Sequence, residues 1–276
     1  KRESSGRMPV MISLPGIAWH APGRYGDFIG RTPSGTLAES ILKGHDNIDH
    51  VKIINSGINS LKYFGKETEP QFDYTELSKA VRVCKKLGLK VMVHANGKRA
   101  VEISIKAGCD SIEHGFLMGK DNLKLMAEKG ITWVPTLFPM KAYSRFLPKS
   151  SVGSNNANQY LDHQMEQLIH AHKYGVPIAV GTDAGSIGVH HGQAVMEEMR
   201  FFVSAGLSFE DSVRCASANG AELMGLDNEV GRLEPGFPST FLLVRGAPEN
   251  IFNSSHLPEM VFIKGKKIHS PAIQMT

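Results

Sequence analysis

The stretch GVPIAVGTDAGSIGVHHG, residues 175–192, decides how this chain is read. It opens with Gly175 closing a helix, runs through an apolar strand over 177–180, and reaches a Gly-flanked Asp183. A carboxylate at the C-terminal tip of a buried strand is costly unless a positive charge, usually a metal, sits against it. Two candidate co-ligands lie upstream: His94 near the end of KVMVHANG and His114 near the end of DSIEHG.

Outward from that stretch, one unit repeats. LGLKVMVHA, AGCDSIEHG, KGITWVPTL and YGVPIAVGTD each place a helix-stopping glycine ahead of a short strand. The spacing predicts helices over 98–106, 121–129 with Asp121 as N-cap, and 158–174, then 195–205 and 208–223 with Ser208 as cap. Alternation of strand and helix at this rate means βαβ units on a parallel sheet, an α/β fold. The strands are almost continuously apolar, as they must be when helices cover them.

Upstream, HVKIINSG reads as a buried strand carrying Lys52 at its middle. A helix is expected over 36–44. A second starts with Asp73 and Glu76 in capping-box spacing, continues through Leu77, Ala80, Val81, Cys84 and Leu87, and stops at Gly88. Residues 8–14, MPVMISL, read as a strand. The Gly- and Pro-rich run over 15–35 reads as a long irregular loop beside a barrel mouth, where Trp19, His20 and Tyr25 line a pocket or make ordinary loop contacts. The tail holds two short strands around Gly and Pro with no helix between, a small appended β element.

At 276 residues, 41% hydrophobic and 21% charged, the composition is that of a globular protein. A net charge of +4 without a Lys/Arg-rich block gives no reason to expect nucleic-acid binding. No apolar run approaches the roughly 20 residues of a membrane helix, and KRESSGRMP at the start has no apolar signal-peptide core. Cys84, Cys109 and Cys215 cannot all pair and lie in no CxxC motif, so they read as reduced, buried thiols of a cytoplasmic protein. A homo-oligomer stays open.

Parallel sheets place function at the C-terminal ends of strands. His94, His114 and Asp183 sit at three such ends, and neutral imidazole and carboxylate are what a zinc-like divalent ion takes as ligands. Such an ion would supply hydroxide near neutral pH, and Asp183 beside it could accept a proton and pass it on. Lys52 has two readings. Its amine snorkels or pairs with an acid, or it is desolvated and reacts with CO2 to give a carbamate that can bridge two metals.

VKIINSG, VMVHANG, IEHG, VPTL and GTDAG, in that order, resemble the amidohydrolase superfamily, nearest by pattern to its imidazolonepropionase- and prolidase-like branch. The ending ASANGAELMGLDNEVGRLEPGFPSTFLLVRG is similar to that group's lead into a small β-sandwich. The resemblance implies a distorted TIM-type (β/α)8 barrel over 1–230, with a remnant of the sandwich over 231–276. It implies hydrolysis of an amide or other C–N bond in a small molecule such as a dipeptide or cyclic amide. It makes His94 and His114 metal ligands, Lys52 the carbamylated bridge, and Asp183 both ligand and general base. His191 then lies near the substrate, and the cofactor is one or two divalent ions, zinc first among them.

The chain departs from that pattern in lacking the His-x-His of the family's first strand. Counted as the family counts, MPVMISL would be the third strand and the first two strand–helix units are absent, so the chain reads as a fragment of a longer protein or as a protein that has lost those parts. Without them only the Lys52, His94 and His114 set is complete. Two other classes remain: a non-catalytic barrel kept as a binding or assembly module, and a deaminase of the same superfamily, which Lys52 counts against. Specificity would lie in loops such as 16–35 and 143–159, where Tyr143, Arg145 and Tyr160 could meet a substrate carboxylate.

Overall fold

Apolar runs of three to six residues between glycine-capped helices produce the expected parallel sheet. The structure is a computed structural model that describes residues 2–3, 11–244, 246–252 and 258–268. A two-stranded antiparallel pair, β1 (Arg2–Glu3) and β2 (Met11–Ile12), stands apart from the main sheet. The main sheet uses β3 (Ala18–Trp19), β4 (Gly30–Arg31), β5 (His50–Ile54), β6 (Lys90–Ala95), β7 (Ser111–His114) and β8 (Thr132–Val134). All its pairings are parallel and its order is β4-β3-β5-β6-β7-β8. Among the described residues that order is linear, with no ladder joining β4 to β8.

Helices pack on one face of this sheet: α1 (Leu37–Lys43), α2 (Tyr74–Lys86), α3 (Lys98–Ala107), α4 (Gly119–Lys129), α5 (Phe138–Phe146) and α6 (Val152–Tyr174). Val51, Ile53, Val91, Val93, Ala95, Ile112 and Trp133 point to the helices and share one core with Leu77, Val101, Leu123 and Leu168. Each buried Val, Leu or Ile among them contributes about 1.5–3 kcal/mol. Strand alternation then sends Lys52, Met92 and Ser111, and one layer further on His94 and Glu113, to the opposite face. Helices α7 (Gln193–Ser204), α8 (Phe209–Ala216) and α9 (Ala218–Met224) follow. The tail forms β9 (Phe241–Leu243), β10 (Met260–Ile263) and β11 (Lys266–Ile268), an antiparallel sheet; Phe252, between β9 and β10 in the chain, has its ring 5.6 Å from that of Phe209.

Several local expectations need correction. Of MPVMISL, residues 8–10 lie outside the described residues, and Met11–Ile12 pairs with β1 and takes no place in the parallel sheet. The supposed loop over 15–35 contains β3 and β4, two-residue strands too short to show alternation among so many Gly and Pro. The strand expected over 177–180 makes only one bridge, Trp133 to Ile178. Pro177 has no N–H to give, and past that bridge the Val180 N–H turns to the carbonyl of Cys215. Asp121 sits in the first turn of α4 and is not its cap. The span over 208–223 is two helices, broken at Ser217, and 143–159 is largely helical. Among the described residues the tail has three strands, with a short 3-10 turn at Pro248–Asn250. Asp73 does cap α2, accepting from the Glu76 N–H at 2.8 Å, but the Glu76 carboxylate reaches across to the Leu37 N–H and ties α1 to α2. Ser208 caps α8 as expected.

Candidate active site

His94 is the fifth residue of β6 and follows the alternation onto the face away from the helices. His114 pairs with Ala95, whose methyl lies in the helix-side core, so extended backbone would send its imidazole among the helices. Its φ of 68° turns it back. The two imidazoles consequently meet edge to face, 4.7 Å between ring centres. Gly115, at φ 63°, completes the turn where a Cβ would lie 2.7 Å from the Trp133 indole nitrogen. Thr136 at φ 48° and Asp183 at φ 51° are also left-handed. Such backbone costs about 1–3 kcal/mol per residue and clusters where function requires it.

Each ring has one nitrogen engaged. His94 Nε2 donates to the Gly57 carbonyl at 3.2 Å, which leaves Nδ1 as its lone pair. His114 Nδ1 meets Thr136 Oγ1 at 2.6 Å, and in the tautomer with Nδ1–H the lone pair is on Nε2. Outer partners of this kind orient metal-binding imidazoles. Burial, then the neighbouring His114 and Lys52, holds His94 well below the usual histidine range. Burial and Lys52 hold His114 down at about 3. Both rings are therefore neutral at physiological pH, the form that binds metal.

Lys52 points to the same face from β5. Burial lowers its pKa, against the opposing fields of Glu113 and Asp183, and it makes no ion pair with either among the described residues. Its free amine is thus favoured more than an exposed lysine's. Asp183 is exposed, and its carboxylate accepts from Ser186 Oγ at 2.9 Å. Its field reaches Lys52, His94, Tyr25 and Tyr143. It does not join the histidines closely, since among the described residues no three His, Cys, Asp or Glu side chains converge tightly enough to hold a metal ion. Two imidazoles with unengaged ring nitrogens, and a lysine on the same face that could carry a carboxylate, are the donor types a divalent ion takes. His191 is exposed in the turn before α7.

Other sequence candidates divide. Tyr25 does line the site, its ring 5.5 Å from that of His94. Trp19 is buried in the helix-side core, and His20 is buried against its own loop, Nδ1 at 3.0 Å from the Ala21 carbonyl. Tyr160 is fully buried and its hydroxyl accepts from the Gly65 N–H. Sequence reasoning missed Thr136 and Glu198. Glu198, on α7 and fully buried, accepts from the Leu137 and Phe138 N–H groups and so caps α5. A cavity of about 490 Å³ opens at the opposite, N-terminal end of the strands, beside Lys90, Asp110, Thr132 and Glu222. It holds none of the histidines, and its Lys85 and Lys129 end α2 and α4, where they offset helix carbonyls.

The model of the amidohydrolase family matches residues 12–268. The chain belongs to the amidohydrolase family. Among amidohydrolase relatives, the ochratoxinase of Aspergillus niger is 27% identical over 212 residues, covering 74% of this chain and 43% of the relative. An imidazolonepropionase of Syntrophobacter fumaroxidans is 28% identical over 188 residues, covering 63% and 38%. A crystal structure of a Xaa-Pro dipeptidase with bound methionine in the active site superposes with a TM-score of 0.72 at 27% identity, covering 85% of this chain and 58% of that one. This amidohydrolase chain thus spans less than half the length of those two curated relatives. No helix of the described residues is long and apolar enough to cross a membrane.

Proposed function

We propose that this protein hydrolyses an amide (C–N) bond in a small molecule such as a dipeptide or cyclic amide, as a metal-dependent amidohydrolase with Asp183 as general base. One observation carries the reading: the rings of His94 and His114 converge at 4.7 Å with their lone-pair nitrogens unengaged, on the same face as a half-buried Lys52 whose amine is favoured in its free form. His94, His114 and a carboxylated Lys52 would hold a divalent ion, zinc by donor type. When bound, that ion supplies a nucleophile at neutral pH and polarises the scissile carbonyl. Asp183 takes the proton of the attacking water and delivers it to the leaving nitrogen. Tyr25 forms one wall of the site, and the exposed His191, in the turn before α7, approaches the bound substrate. In the same reading, residues 1–230 belong to a partial barrel and 231–276 to a remnant of a small β-sandwich.

A second reading, a non-catalytic barrel retained for binding, is favoured by the lack of any three-member His/Cys/Asp/Glu cluster among the described residues. Metal analysis after incubation with zinc and bicarbonate, with a dipeptide and cyclic-amide panel, separates the two. Hydrolysis equal in Asp183→Asn and the parent would sink the base assignment. Absence of both bound metal and turnover would favour the binding module.

A further inference from the structure

We infer that Gln164 and Gln167, two buried glutamines of α6, are positioning residues that hold His114 in its left-handed turn and so aim its imidazole at His94. The inference rests on the proposed role of His114 as a ligand. Where β7 and β8 end, the carbonyls of His114, Gly115 and Pro135 leave the sheet ladder. Gln164 Nε2 donates to His114 O and to Pro135 O, bridging the ends of both strands. Gln167 Nε2 donates to Gly115 O at 3.2 Å and to Gln164 Oε1 at 2.8 Å, while its own oxygen accepts from the Gly119 N–H at 3.1 Å. Every N–H and both oxygens of the two amides are thereby used. The Trp133 indole N–H gives His114 O its second bond at 2.9 Å.

The arrangement is specific to this turn. Gln164 is 0% and Gln167 5% exposed, in a layer where the neighbouring Leu161 and Leu168 are apolar. An apolar side chain at 164 would pack there but would strip Pro135 O of its side-chain donor and leave His114 O with the Trp133 indole N–H alone. The bridged carbonyls flank both left-handed residues of the pair that sets the imidazole, His114 itself and Thr136, whose hydroxyl meets His114 Nδ1. The amides act through the backbone of His114, one step behind its ring.

Gln164→Met removes the donors while keeping chain length. In the full chain titrated with cobalt(II), we expect roughly tenfold weaker binding and an altered visible spectrum, the scale of losing an outer partner. Imidazole resonances of His114, read by NMR without metal, are expected to shift while those of His170 stay. A variant that loses thermal stability yet keeps the cobalt(II) affinity, the spectrum and the His114 resonances overturns the inference. Should it fail to fold, Gln167→Met is read in the same way. In the unaltered protein the Gln164 side-chain amide protons should exchange slowly, and exchange as fast as that of exposed Gln159 would also overturn it. A chain showing the glutamine effects but no turnover on any amide would remove the hydrolysis reading and leave this one standing.

Discussion

The imidazoles of His94 and His114 meet edge to face, 4.7 Å apart, because one follows the strand alternation and the other breaks it. Neither ring is charged near neutrality, so the pair attracts a cation and does not repel it. His114→Ala is therefore expected to weaken zinc binding more than the ~10–100-fold that loss of an outer partner costs. His191→Ala, at an exposed turn position, should leave metal affinity unchanged and alter KM alone. Chelator competition and substrate titration measure the two effects.

Thr136 is the outer partner of His114, and Thr136→Val keeps its shape while deleting the hydroxyl. Metal affinity should fall ~10–100-fold with little change in Tm. A Tm loss with unchanged affinity would assign the hydroxyl to packing alone.

Much of this arrangement is visible in the chain itself. Glycines at 88, 108, 130 and 175 mark helix ends, and the apolar runs after the first three form β6, β7 and β8 in register. His94 and Lys52 follow from strand alternation once the strands are placed. His114 was nameable, but the reason it faces His94 was not, because a φ of 68° on a non-glycine residue leaves no mark in composition. Strands β3 and β4 are two residues long and owe their pairing to neighbours distant in the chain, so local pattern could not find them. Gln164, Gln167 and Glu198 read as surface-type residues, and only tertiary contacts reveal that each satisfies backbone groups of another element.

The three cysteines give a direct check on the core. Cys84, Cys109 and Cys215 are buried and unpaired. Burial pushes the Cys84 and Cys215 thiols up to about 12 and about 11, and raises that of Cys109 as well. Thiolate is the reactive form, so a disulfide reagent at pH 8 should label none of them in the native chain and all three in denaturant. Fast labelling of Cys84 in the native chain would place α2 away from the sheet.

Glu198 links α7 to the start of α5, and its charge state should show in stability. Burial raises its carboxyl from an ordinary 4.5 to about 8, against the two backbone N–H bonds that favour the anion, and the Asp183 charge adds to the rise. Between those two values the folded chain holds a proton that the unfolded chain has released, so stability falls as pH rises from about 4.5 to about 8 and levels off above. In Glu198→Gln that downward slope should flatten, so the gap between variant and parent in denaturant midpoint shifts in the variant's favour as pH rises. Glu198→Ala, by contrast, leaves the Leu137 and Phe138 N–H groups without acceptors and should cost about 1–3 kcal/mol at pH 6. Parallel pH profiles for parent and Gln variant would show that the carboxyl titrates near its ordinary value, and that the first turn of α5 is held by an anion.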